Sequence, residues 1–160
     1  GYSSAASDVY KRQAVYRSHI KQVNLLAHYQ VATTTYLNMV NSGIKDAMER
    51  LIESLKAEGE TLMKLGKHKN AVHYFTRALK YLTKLEPELT ARQLDLSVML
   101  GEALMQNSAT RQKGVHLLNT LLQKANKLNL TDTATHIEGL LEKQSGRLDI
   151  LGIWHKIFPR

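Results

Sequence analysis

From Ile44 to Leu65 apolar residues return every three or four positions: Ala47, Met48, Leu51, Ile52, Leu55, Gly59, Leu62 and Met63. That period predicts an amphipathic helix. Gly66 follows, where a helix end calls for a left-handed residue. The pattern resumes from about Asn70 to Leu85 through Ala71, Tyr74, Phe75, Ala78, Leu79, Leu82 and Leu85, so the two stretches predict a helical hairpin. Pro87 is expected in the first turn of a helix over 88–106. Asn107-Ser108 breaks it, and a further helix is predicted over 111–128. Thr131-Asp132 reads as the start of another, running to about Gln144 and closed by Gly146. In the tail, Leu148, Leu151, Trp154, Ile157 and Phe158 predict a short, separate amphipathic helix within 147–160. Ahead of the hairpin, Tyr16, Ile20, Val23, Ala27 and Val31 predict a helix within 14–43 that buries this stripe. The β-branched Val31, Thr33, Thr34 and Thr35 weaken it. Asn41-Ser42-Gly43 reads as a turn, with Ser42 as cap of the next helix.

The hairpin text returns. Gly101-Glu102-Ala103-Leu104-Met105 echoes Gly59-Glu60-Thr61-Leu62-Met63 at a spacing of 42. Gly114-Val115-His116-Leu117-Leu118 echoes Ala71-Val72-His73-Tyr74-Phe75 at 43. Self-similarity at such a period marks stacked helix pairs. The predicted fold is therefore all-α, an antiparallel helix-hairpin array over 44–146, flanked by an N-terminal helix and a C-terminal capping helix.

Leu55, Gly59, Leu62, Gly66, Ala71, Phe75, Ala78 and Leu79 resemble the spaced small and large positions of a tetratricopeptide (TPR) repeat. Small residues let two helices approach closely and large ones fill what remains. A second copy keeps Leu100, Gly101, Leu104, Gly114, Leu118 and Leu122, and departs at Leu121 and in a longer turn over 107–113. The family period is about 34 residues, so the spacing here implies longer helices. Longer repeats of this kind occur in kinesin light chains, whose Asn-rich helix text is absent. A three-helix microtubule-interacting-and-trafficking (MIT) module is the alternative resemblance, against which the duplication argues.

The resemblance implies a groove lined by the first helix of each pair: Glu53, Lys56, Glu60, Met63 and Lys64, then Asp95, Val98, Glu102, Met105 and Gln106. Members that clamp a C-terminal carboxylate use Lys and Asn there. Lys56 fits, but Glu60 and Met99 stand at the Asn positions, so that ligand is not expected. The expected partner is another protein, presenting a peptide or amphipathic helix with basic and apolar residues to paired glutamates and adaptable methionines. The alternative role for Glu60 is pairing with Lys56 and Lys64 along its own helix, worth ~0.2–0.5 kcal/mol each.

Charge sharpens the picture. The chain carries +8. The second helices are purely basic: Lys67, Lys69, Arg77, Lys80 and Lys84 in one, Arg111, Lys113, Lys124 and Lys127 in the other. The first helices are mildly acidic. His73, Arg77, Lys80, Lys84, Lys124 and Lys127 are therefore candidates for an anionic partner, RNA or acidic membrane, against the plainer reading of a solvated face. Leu151, Trp154, Ile157 and Phe158 are candidates for a tail anchor, against the plainer reading of a cap over the end of the array.

Residues 3–13, Ser-Ser-Ala-Ala-Ser-Asp-Val-Tyr-Lys-Arg-Gln, resemble the translation of a sequencing-library adapter, codon for codon. Residues 1–13 are read as a non-native leader, which puts the native N-terminus and any targeting signal outside the chain. Without the leader's two cations and one anion the charge is +7. The absence of Cys excludes disulfides and thiol chemistry and suits a reducing, by default cytoplasmic, setting. No apolar run approaches the ~20 residues of a membrane helix. The seven His show no HExxH-like pairing, and His73 and His116 occupy matching repeat positions. No phosphate loop or nucleophile elbow is present. No metal, cofactor or enzymatic activity is expected; a non-enzymatic adaptor is.

Overall fold

A computed structural model describes residues 2–157, with side chains for 3–146 and 157. Among the described residues it holds six helices and no strand: α1 (Tyr2–Asn41), α2 (Ala47–Lys64), α3 (His68–Leu85), α4 (Ala91–Gln106), α5 (Arg111–Lys127) and α6 (Thr131–Ile157). Within α1–α3 and within α4–α6, helices adjacent in the chain pack against each other, so the fold is all-α and built of helical hairpins, as expected. It divides into two compact units, Gly1–Pro87 and Glu88–Arg160. The boundary falls at the Pro-containing link between α3 and α4.

In the first unit α2 packs against both α1 and α3. Leu51, Ile52, Leu55 and Leu62 of α2 and Ala71, Phe75, Ala78 and Leu82 of α3 are all buried. Each large side chain taken out of water contributes about 1.5–3 kcal/mol. Gly59 is small because Phe75 lies on it: a Cβ there would come 2.5 Å from Phe75 Cε1. The turn closes as expected, with Gly66 at φ +75°. The Lys67 N–H donates to the Leu62 carbonyl at 2.9 Å and the Gly66 N–H to that of Met63 at 3.0 Å, satisfying carbonyls left over at the helix end.

In the second unit α4 packs against α5, and α6 lies along α5 and touches α4. Its core joins Leu94, Val98 and Met105 to Leu118, Leu121 and Ala125 and to Ala134, Ile137 and Leu140. Gly101 meets Leu118, with a Cβ position 2.7 Å from its Cδ2. Gly101 and Leu118 are the repeat equivalents of Gly59 and Phe75. The buried residues of α3 (Ala71, Phe75, Ala78, Leu82) recur on α5, each 43 positions on, as Gly114, Leu118, Leu121 and Ala125. The duplication read in the sequence is thus a duplication of packing.

Several expectations change. α1 stays helical through its β-branched run, where the Thr34 and Thr35 hydroxyls are satisfied by 3.0 Å bonds donated to the carbonyls four residues back. It also runs through the adapter-like segment, whose residues 3–13 are exposed. Its packed side is not the predicted stripe: Tyr16, Ile20, Val23 and Val31 are all exposed. Leu25, Leu26, Tyr29, Thr33, Tyr36 and Leu37 are at least half-buried instead. The Ser42 hydroxyl donates to the Asn38 carbonyl at 2.9 Å and so belongs to the end of α1, not to a cap of α2. Leu85 is exposed, since α3 ends there. α4 begins after Pro87, at Ala91, because Thr90 caps it by accepting the Gln93 N–H at 3.2 Å. Gly146 does not stop α6, which continues to Ile157, so the tail helix is not separate.

Candidate functional site

The α1–α2 contact leaves a groove of about 480 Å³ on one flank. α1 supplies His28, Tyr29, Ala32 and Tyr36, and α2 supplies Glu49, Arg50, Glu53, Ser54 and Ala57. On α1, Ala32 and Tyr36 follow the adjacent pair His28–Tyr29 at three- and four-residue steps, so one helix face presents two tyrosines and a histidine. His28 and Tyr29 meet edge to face, ring centroids 5.7 Å apart. The α2 wall is charged, two carboxylates against one guanidinium, while Ala32 and Ala57 keep the middle open. Aromatic faces beside acidic groups suit a segment carrying apolar and basic side chains.

Beneath that groove lies a polar knot. Glu58 is 1% exposed. The Thr33 hydroxyl donates to its Oε2 at 2.6 Å. Thr33 is also hydrogen-bonded to Ser54, which donates to the Tyr29 carbonyl at 3.2 Å. Burial pushes the Glu58 carboxyl above its usual range, against the Thr33 hydrogen bond and the Arg77 guanidinium, which both favour the charged form. Burial and the Glu58 charge also push the Tyr74 phenol up, again opposed by Arg77. The knot ties α1 to α2 and reaches electrostatically to α3. A mid-helix Glu reads as solvated, and its partner Thr33 lies 25 positions away, so nothing local marks it.

The positions expected to line one groove are not of one kind. Glu53 lies in the α1–α2 groove, while Lys56 and Glu60 are half-buried outside its lining. Met63 is half-buried with its sulfur 3.4 Å from His68 Nδ1. Lys64 lies beside Leu65 in a depression with Ala14, Val15, Ser18, His19 and Gln22 of α1. In the second unit Val98 and Met105 are corrected outright: both are core residues, 3% and 4% exposed. They face α5 and α6, the side that the carried-over register turned outward. Asp95 accepts a 3.1 Å hydrogen bond from Thr133 of α6, Glu102 is half-buried and Gln106 exposed.

Among the basic candidates, His73, Lys80, Lys84, Lys124 and Lys127 are exposed and Arg77 is half-buried. Arg77 stands over the Tyr74 ring, 5.9 Å from its centroid, and Lys84 over that of Tyr81 at 5.7 Å. Lys124 and Lys127 fall in the last turn of α5, where the helix dipole favours cations. Of the tail candidates, Ile157 is exposed; the side chains of Leu151 and Trp154, and all of Phe158, lie outside the described residues. No group of acidic, His or Cys side chains suited to a metal ion occurs among the described residues, and none of their helices is long and apolar enough to cross a membrane.

No protein-family model, curated protein or solved structure matches this chain.

Proposed function

We propose that the chain is a TPR-like, non-enzymatic adaptor that takes a segment of a partner protein into the α1–α2 groove of its first unit. The observation that carries this reading is the groove's lining, with Tyr29, Tyr36 and His28 facing the Glu49–Glu53 wall. The ligand is an extended or helical peptide with apolar and Lys or Arg side chains. Its aromatic contacts supply affinity and its charges supply register and on-rate. This reading puts the site within one unit and shares Glu53 with the groove positions expected from the sequence.

A peptide library displayed on phage and selected on the full chain tests this. Recovered peptides are expected to be rich in basic and apolar residues. Their affinity should fall at least about tenfold in Tyr36→Ala and in Glu53→Lys, the scale of a lost central anchor. Glu60→Lys with Glu102→Lys should leave it unchanged. Peptides that bind both groove variants as well as the parent would place the site elsewhere.

A further inference from the structure

The other flank of α1 holds a second cleft of opposite character, formed with α3. Its volume is about 350 Å³, and its lining is Leu26 and Gln30 from α1, Leu62 from α2, Lys67 from the turn, and Asn70, His73, Tyr74 and Arg77 from α3. Lys67, Arg77 and a histidine converge there with two side-chain amides and a phenol, and no carboxylate is in the lining. Lys and Arg are donors only, so the cleft is rich in N–H groups that seek acceptors.

Two further features add to this. α3 starts at this cleft with no acidic residue in its first turn, and its N-cap, Lys67, makes no side-chain cap. The first-turn N–H groups and the positive end of the helix dipole are therefore left for an outside acceptor. Arg77 is also held in place over the Tyr74 ring, 5.9 Å from its centroid. A guanidinium already positioned loses little freedom when it grips a ligand.

We propose that this α1–α3 cleft binds a phosphate monoester, with Arg77 and Lys67 gripping the phosphoryl oxygens and Asn70 and Gln30 donating around them. A phosphoryl group of charge about −1.5 to −2, whose oxygens chiefly accept hydrogen bonds, matches a lining that mostly donates. The volume lies within the range of about 300–1,000 Å³ typical of small-ligand sites, leaving room for the body that carries the phosphate beside Leu26 and Leu62. The copy in the second unit has Leu117 and Thr120 where Tyr74 and Arg77 stand, so the site belongs to one copy only. Glu58 is its one internal opponent, a carboxylate that already shares Arg77.

The test is a titration of the full chain followed by amide NMR, with O-phosphoserine, inositol 1-phosphate, inorganic phosphate and sulfate as separate probes. Saturable shifts at Asn70, His73 and Arg77 with a monoester, stronger than with sulfate, are expected. Binding should weaken at least about tenfold in Arg77→Met, with Arg77→Lys intermediate, as loss of a bidentate charged contact requires. Glu58→Gln should tighten it severalfold by removing the competing charge, which a merely structural Arg77 would not produce. Preference for the serine ester points to phosphorylated protein and preference for the inositol ester to a soluble sugar-alcohol phosphate; both support the site. Shifts equal for sulfate and spread over Lys80, Lys84, Lys124 and Lys127 overturn it. So does monoester binding unchanged in Arg77→Met, or an RNA oligonucleotide that binds when no monoester does.

Discussion

The hairpins α2–α3 and α4–α5 share a packing device but use it differently. In both, a glycine on the first helix receives a large side chain from the second, Gly59 under Phe75 and Gly101 under Leu118. They part in the third helix. α1 packs on the first member of its hairpin, whereas α6 packs on the second. They part again in what the first helix buries: Ser54 and Glu58 on α2 correspond to Leu96 and Leu100 on α4, one buried and one half-buried. A duplicated helix–helix contact thus fixes the hairpin and leaves open what docks on it. A polar docking surface specifies one register for α1, because a slip of one residue strands a buried carboxylate.

The comparison breaks most readily at its glycines. In Gly114→Ala the new methyl would meet backbone, 2.7 Å from the Met105 nitrogen and 2.8 Å from the Gly101 oxygen. Backbone cannot step aside, so a loss of about 3 kcal/mol is expected in urea unfolding. Gly59→Ala meets only the Phe75 ring, and the helix gains up to about 1 kcal/mol of propensity. Its loss should be smaller, roughly 1–2 kcal/mol, and Phe75→Leu, which imports the residue of the second copy, should recover part of it. Equal losses at the two glycines would show that the α4–α5 hairpin is no closer than the other.

The polar knot is the next place to press. Thr33→Val with Ser54→Leu and Glu58→Leu makes the first unit resemble the second, and swaps of buried polar groups for packed apolar ones are often neutral or stabilising by about 1–4 kcal/mol. Glu58→Leu alone removes the carboxylate that accepts from the Thr33 hydroxyl and should destabilise, by about 1–3 kcal/mol. Glu58→Gln isolates the charge. The folded carboxyl holds its proton above the ordinary value of 4.5, so the unfolded chain ionises first, and folding loses stability as pH rises from about 4.5 through the folded value. The variant lacks that loss. Its stability relative to the parent should therefore grow from pH 4 to pH 7 in paired unfolding curves, and a constant difference would mean that Glu58 ionises as freely folded as unfolded. The smallest effect is at a helix end: Thr90→Ala removes a side-chain cap that α2 lacks, at about 1 kcal/mol.

Much of this was legible because hairpin packing writes itself locally. Apolar residues at helical spacing gave the spans of α2 to α5 within a few residues, and the small residues gave the duplication. α1 was not legible in the same way, because it carries apolar residues on two faces. Tyr16, Ile20, Val23 and Val31 make as good a stripe as the one that packs, and only the partner helix chooses between them. Gly146 has a helical backbone, and a glycine stops a helix only if the chain turns there. The sequence did hold one overlooked signal: Thr90-Ala91-Arg92-Gln93 has the spacing of a capping box, and it starts α4 three residues past Pro87. Glu53 was the one groove residue kept, because the other wall of its groove comes from α1, whose packed face no pattern revealed.

Ala78 and Leu82 stand on α3 where Leu121 and Ala125 stand on α5, a small and a large residue in reversed order, and all four are buried. Direct interconversion of the two by single substitutions passes through either two leucines or two alanines one turn apart, an overfilled core or a hollow one. The hairpins can drift apart only by paired exchange at this turn, which protects each from being rewritten, one residue at a time, into its twin.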